Sequence, residues 1–347
     1  MPALECPNQN TSSSIAISTS VGFQSLAIDD YNQSAQQLQA DITLSIADVV
    51  TAKQVSKKRL ERSADRTHAW MRDTLTAQAE YATKALTLFA AIPPLEPDQQ
   101  SFYLTDLSEE YKSEVRGVSL YSTEAAATLP SALRDLSRIC LTTPEGPHDI
   151  LRAVALGIDL ITVPFVTETS ENGIAFNFSF DKSAKHSDQP VGYDLWDSSH
   201  ATDVSPLAKA CKCYTCTKHH RAYVHHLLSA KEMLAWTLLQ IHNFHIMYTF
   251  FTQIREAIAE GTFEERSTAF NCTYDAEVPK VTGQGPRIRG YQMKSVGGGE
   301  PRRNKKAYGR LDEQARKLEE AESGVATPEV ETLTDDLEKQ GLGDVHK

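Results

Sequence analysis

Apolar residues in the first half of the chain fall in short runs, separated by longer polar stretches with helical spacing. QSAQQLQA (33–40) predicts a short helix, and the apolar run ADITLSIADVV (40–50) predicts a buried strand. A long charged helix is expected over about residues 52–85, with Trp70, Met71 and Leu75 available for its inner face. LTLFAAI (86–92) reads as a strand ended by Pro93 and Pro94, residues 99–115 as a helix, and GVSLY (117–121) as a short strand. A helix over 129–137 and a strand ICLTT (139–143) follow. Pro147 then opens a helix at a position where a missing N–H costs nothing, Gly157 ends it, and DLITVPF (159–165) is the next strand. Strands alternating with amphipathic helices, about 25–30 residues apart, imply parallel βα units with both sheet faces covered. A TIM barrel and a doubly wound sheet both satisfy this pattern.

The second half has a different rhythm. From about His219 to beyond Tyr248 the chain forms helix without Gly or Pro, so one long helix is expected. Just before it, CKCYTC brings Cys211, Cys213 and Cys216 into one hexapeptide. Three thiolates and one imidazole complete a tetrahedral set for Zn²⁺, with no position left for a substrate, so the expected ion is structural and clamps the helix to the preceding loop. His242 lies on the helical run, but His219, His220, His225, His226 and His245 compete with it on spacing alone.

Composition narrows the compartment and the partners. The chain has 347 residues, 40% of them apolar, enough for a core, and no run approaches the ~20 apolar residues of a membrane span. Half of its six cysteines lie in one cluster, which argues for a metal site in a reducing compartment over a disulfide framework. Cys6, Cys140 and Cys272 are expected to be free thiols. A net charge of −11 means that any contact with RNA must use a local basic patch. The first twenty residues lack Lys and Arg and fit neither a secretory signal nor a mitochondrial presequence. Residues 1–15, polar and Ser/Asn-rich, are expected to be disordered. Residues 280–317 hold eleven Lys/Arg against three Asp/Glu, and residues 318–347 nine acidic side chains against two Lys. That basic-then-acidic block reads as a disordered tail.

The Cys-x-Cys-x2-Cys-x25-His spacing, the RAYVHHLL run and the Gln-Ile-His-Asn tetrapeptide resemble the zinc subdomain of the tRNA-guanine transglycosylase family. The resemblance extends from about Ser18 through GIDLITVPF to about Tyr274. It implies that the fourth ligand is the histidine of the His-Asn pair, here His242. It also implies a TIM (β/α)8-type barrel, with its N-terminal strands missing from this sequence, carrying an inserted zinc-binding subdomain. The expected division is a disordered 1–15, a partial barrel over 16–200, the zinc subdomain and closing helices over 201–275, and a tail over 276–347.

The same resemblance exposes what is lost. Family enzymes need two carboxylates, one as nucleophile on the ribose and one for proton transfer on the base. In GIDLIT, Gly157 and Asp159 match the family pattern, but Thr162 stands at the nucleophile position. Thr19 takes the place of the second aspartate and Val21 that of a glycine. The base-facing loop has become RGVSLYS (116–122), with Leu120 and Tyr121 in place of small residues. In VTETSEN (166–172), Glu168 and Glu171 occupy positions that are basic in active members, and Asp48 is the remaining acid near a strand end. No catalytic residue is expected. The resemblance implies a non-catalytic member acting on tRNA beside a catalytic relative, joined to it through the apolar helices of 222–261 (Leu234, Trp236, Leu238, Ile241, Phe244, Met247, Phe250, Phe251). It implies the cytoplasm, with association at the outer mitochondrial surface. An active transglycosylase using another acid and a zinc-stabilised RNA-binding module are the competing classes.

Overall fold

The structure, a computed structural model, describes residues 10–19, 22–50, 55–81, 86–181 and 189–286. It opens with an antiparallel hairpin of β1 (Ser14–Thr19) and β2 (Gly22–Ala27), then α1 (Ile28–Leu38). Strand β1 thus begins inside the stretch expected to be unstructured, while residues 1–9 lie outside the described residues. Five strands form one parallel sheet: β3 (Thr43–Leu44), β4 (Leu88–Ile92), β5 (Gly117–Leu120), β6 (Ser137–Cys140) and β7 (Leu160–Ile161). They pair in strict chain order. A doubly wound sheet reverses its order at a switch point; this sheet winds one way and curls as a half-barrel.

The elements follow from their side chains. All five residues of β4 are buried, as a parallel strand covered on both faces requires. Gly117 lets β5 approach it, because a Cβ there would come within 2.3 Å of the Phe89 ring. Helix α2 (Lys57–Tyr81) buries Trp70 and Met71 completely, and Trp70 Nε1 donates to the Ser12 carbonyl at 2.7 Å, fastening the hairpin's approach. Helices α3 (Ser101–Glu109) and α4 (Pro147–Ala155) cover later strands, with Pro147 at the first helical position as expected.

Several expectations give way to shorter elements, and the helix expected over 99–115 already ends at Glu109. The strand expected over 40–50 pairs only through Thr43–Leu44 and a further bond from Ser45 N–H to Phe89 O, because Asp48 is drawn into an arginine network. The helix expected over 129–137 is one 3-10 turn, Ser131–Leu133, and Ser137 already belongs to β6. The strand expected over 159–165 stops at Ile161, since Pro164 starts helix α5 (Phe165–Glu171).

A second layer follows: the hairpin of β8 (Ile174–Phe176) and β9 (Gly192–Asp194), then α6 (Tyr214–Lys218), α7 (Arg221–Ser229), α8 (Met233–Ala259) and α9 (Phe263–Thr273). The single helix expected from His219 past Tyr248 is broken between α7 and α8. Lys231 adopts φ 56°, and the amides of Lys231 and Glu232 bond back to the carbonyls of Leu228 and Leu227. That is a Schellman closure with lysine where glycine is usual, so no sequence punctuation marks it. Phe165, Phe176, Phe178, Phe180, Phe250 and Phe270 share one aromatic core beneath α8. No helix among the described residues is long and apolar enough to cross a membrane.

Candidate metal centre

The thiols converge because of a capped turn. Cys213 is the N-cap of α6, and its sulfur accepts the Cys216 amide at 3.3 Å, which folds Cys216 back beside it. Thr215, fully buried, donates to the Leu238 carbonyl at 2.7 Å and ties that turn to α8. Arg221 braces the preceding loop: it pairs with Asp203 at 3.1 Å, donates to the carbonyls of Pro206 and Leu207, and lies 4.5 Å over the Tyr193 ring.

His242 is completely buried on α8, and its Nδ1 sits 3.6 Å from Cys211 Sγ, 3.7 Å from Cys213 Sγ and 3.4 Å from Cys216 Sγ. All four ligand atoms lie within 4.8 Å of one another, and together they form a potential metal-binding site. The far nitrogen, Nε2, faces the Phe176 carbonyl at 2.8 Å, which assigns it the ring proton and leaves the Nδ1 lone pair for an ion. Burial alone would lower the pKa of His242, but bonds with Cys213 and Cys216 push it up to about 9. Protons are likewise contested among the thiols: bonding with its neighbours raises Cys211, and bonding with Cys211 and Cys216 lowers Cys213. A cation would replace that competition with shared coordination.

Three of the five competing histidines have other contacts. His219 stacks on Tyr223 at 4.9 Å, His220 caps α7 by accepting the Tyr223 amide at 3.1 Å, and His225 bonds the Leu195 carbonyl at 2.8 Å. Sequence reasoning overlooked the neighbour of His242. Asn243 is fully buried, accepts the Phe176 amide at 2.9 Å and donates to Ser170 Oγ and the Ile174 carbonyl, each at 2.9 Å. The His-Asn pair therefore grips one edge of β8, through Ile174 and Phe176, while the other edge pairs with β9. Its adjacency in the tetrapeptide was the available signal.

None of the positions expected to have lost chemistry is a member of this cluster. Thr162 is exposed, and its hydroxyl donates to the Thr142 carbonyl at 3.2 Å, with no carboxylate bonded to it among the described residues. Thr19 bonds the Gly22 carbonyl at 2.7 Å, closing the hairpin, and Val21 lies outside the described residues. Asp159 accepts the Arg138 amide at 2.8 Å and fastens β7 to β6. Leu120 is buried, Tyr121 is half-buried, and Glu168 and Glu171 are exposed on α5. Asp48 is wholly buried and bound by Arg59 at 2.7 and 2.8 Å, Arg66 at 2.9 Å and Asn10 at 2.7 Å. Burial raises its pKa, but those partners outweigh it and the net shift is downward. An acid so committed is a structural anchor.

The apolar residues of α8 divide between two faces. Trp236, Leu238, Met247 and Phe250 are buried within the chain, and Phe251 is half-buried. Leu234, Ile241, Phe244, Tyr248 and Ile258 are exposed, Tyr248 to 71%. From Leu234 through Ile241 and Phe244 to Tyr248 the steps are seven, three and four residues, the spacing of a helix–helix seam, and Ile258 lies ten residues further on.

The sequence model described as queuine tRNA-ribosyltransferase (TGT) matches residues 1–276. A Schizosaccharomyces pombe protein named queuine tRNA-ribosyltransferase accessory subunit 2 is 34% identical over 289 residues, covering 81% of this chain and 64% of that protein. Proteins of the same name from Aedes aegypti and Anopheles gambiae are 26% and 29% identical, over 76% and 73% of this chain and 67% and 62% of theirs. The chain thus spans a little under two thirds of the length of the Schizosaccharomyces pombe relative. On the strength of the matched residues, the chain belongs to the queuine tRNA-ribosyltransferase (TGT) family.

Proposed function

We propose that this chain is a non-catalytic accessory subunit of queuine tRNA-ribosyltransferase. It supports a catalytic family member in exchanging guanine for queuine at the wobble position of tRNAs with GUN anticodons. The observation that carries this reading is Thr162: a neutral hydroxyl, bonded to a backbone carbonyl, where the family's chemistry needs a carboxylate nucleophile. Asp48 offers no substitute, because two arginines hold it. The names of the relatives agree with this reading.

In this reading the half-barrel belongs to a (β/α)8-type barrel over residues 16–200, and residues 201–275 form a subdomain built on one structural Zn²⁺. A tetrahedral ion with Zn–S of about 2.3 Å and Zn–N of about 2.0 Å separates sulfur from nitrogen by about 3.5 Å. The three separations in the structure, 3.4, 3.6 and 3.7 Å, fit that geometry. Four protein ligands close the site, so the ion supplies stability and no open coordination position. The exposed seam of α8 is the surface offered to the catalytic partner.

The test is co-purification with a catalytic family member, followed by labelled-base incorporation into tRNA by each protein alone and by the two together. The expected result is a stable complex and no exchange by this chain alone. Exchange by this chain in the absence of any partner would overturn the proposal.

A further inference from the structure

The four residues of the potential metal site differ in how far solvent reaches them. His242 is completely buried and Cys213 is 5% exposed, whereas Cys211 and Cys216 are half-buried. The two reachable sulfurs also differ in how they are held. Cys216 lies inside α6, and its amide is tied to Cys213 Sγ at 3.3 Å. Cys211 lies in a loop outside any helix or strand, where its amide bonds the Ala208 carbonyl at 3.1 Å. Neither residue belongs to α8, so their sulfurs can approach each other while His242 stays in place. The ligand atoms all lie within 4.8 Å of one another. Less than about 3 Å of movement therefore brings Cys211 and Cys216 to the S–S length of about 2.05 Å.

The thiols outside the cluster set the contrast. Cys140 is fully buried in the sheet, and Cys272 is exposed on α9. Oxidation of a cysteine depends on thiolate character, on access, and on a second thiol placed to resolve the product. Cys272 has access alone. Cys211 and Cys216 combine all three, because a ligand thiol on a divalent cation is held deprotonated. The simpler view is that a closed tetrahedral site is inert. That holds where the fold shields every ligand, and here two of the three sulfurs are within reach of solvent.

We propose that Cys211 and Cys216 form an oxidation-sensitive latch: a peroxide joins them in a disulfide, and the ion is released. One thiolate attacks the peroxide, the O–O bond breaks, and a sulfenic acid forms as hydroxide leaves. The second thiolate attacks that sulfur, the S–S bond forms, and a second hydroxide departs. Two electrons pass from the sulfur pair to the peroxide, and two protons from solvent turn the hydroxides into water. Cys213 and His242 then remain as ligands, too few for a structural ion. The bond from Thr215 to the Leu238 carbonyl has to hold α6 on α8 without it. A thiol reductant and fresh Zn²⁺ reverse the change. The latch rests on the structural-ion reading and makes that ion the part an oxidant removes.

The experiment treats the zinc-loaded full chain with hydrogen peroxide. It follows ion release with a colorimetric chelator, disulfides by peptide mass spectrometry, and the melting temperature. About one equivalent of Zn²⁺ is expected to leave per chain, in step with a disulfide between Cys211 and Cys216. Melting should fall, and reductant with added Zn²⁺ should restore it. Cys211→His keeps a ligand set of two cysteines and two histidines but removes one of the paired thiols, so release should slow about tenfold or more. Cys272→Ser should leave release unchanged. Retention of the ion while Cys272 is oxidised would overturn the proposal. A disulfide through Cys213, or ion loss with only unlinked sulfinic or sulfonic acids, would overturn it too. So would release from a zinc-loaded Cys211→His protein as fast as from wild type. If that variant does not fold, the wild-type disulfide map decides alone. Failure of the structural-ion reading is seen earlier, as protein that binds no Zn²⁺ before peroxide is added.

Discussion

The strand ends of the half-barrel and the metal subdomain stand at opposite extremes within one chain. At the potential metal site three of the four ligands are backed by further contacts: Cys213 caps the helix that carries Cys216, Phe176 O holds the far nitrogen of His242, and Asn243 locks the strand that supplies that carbonyl. At the strand ends, Thr162 and Asp159 hold only the backbone, and Asp48 is buried beneath arginines. The half-barrel sheet is held through β4 and β5, which are wholly buried and need no catalytic residue to pack. Fold and chemistry are therefore separable here, because the sheet is stabilised by its apolar runs and the reaction depends on a few carboxylates.

The sharpest way to break this contrast is to remove the metal. Cys213→Ser or His242→Ala should abolish metal binding and unfold the subdomain, since a structural Zn²⁺ typically contributes on the order of 10 kcal/mol to the local fold. Elemental analysis and thermal melting measure both effects. A metal-free His242→Ala protein that melts normally would dissolve the distinction between the two regions.

Asp48 comes next. Asp48→Ala leaves Arg59 and Arg66 without their acid and should cost about 3–5 kcal/mol at neutral pH by denaturant titration. The sign with pH follows from its lowered pKa. The carboxylate stabilises the fold above the unfolded value of about 3.9, and the benefit is lost as pH falls through the lower folded value. The gap between Asp48→Asn and wild type should accordingly shrink in acid. A gap that widened there would refute the arginine-anchor account.

Asn243→Ala should cost about 2–3 kcal/mol, because it leaves the buried Phe176 amide and Ile174 carbonyl short of partners. Metal content should stay at wild type, which separates the residue's role from that of His242. The outer face of α8 gives a smaller effect confined to association. Phe244→Glu should weaken binding to the catalytic partner by about 2 kcal/mol, roughly thirtyfold, with melting unchanged. Wild-type affinity in that variant would move the interface elsewhere.

The readability of each region in the sequence tracks how local its interactions are. Three ligands in one hexapeptide announce the metal site, and apolar runs announce the strands. His242 was separable from five other histidines only through the family resemblance, and the structure adds that His219 is stacked on Tyr223 while hydrogen bonds occupy His220 and His225. The break at Lys231 was hidden because its closure uses backbone groups and a residue with no turn preference. Asp48 was legible only as an acid near a strand end, because Arg59 and Arg66 reach it from the next helix, a distance that no strand pattern reveals. Likewise the α8 list looked uniformly apolar, and only packing divides Trp236 and Phe250 from Phe244 and Tyr248.

The most direct test of the central claim is Thr162→Ala in the reconstituted complex, read as labelled-base incorporation into tRNA. If the chemistry resides in the partner, the rate stays within about twofold of wild type. Thr162→Asp in the chain alone recovers almost nothing, because catalytic groups act as a unit. A fall of roughly a hundredfold or more with Thr162→Ala, in protein that still assembles and melts normally, would show that this chain takes part in the reaction and contradict the account.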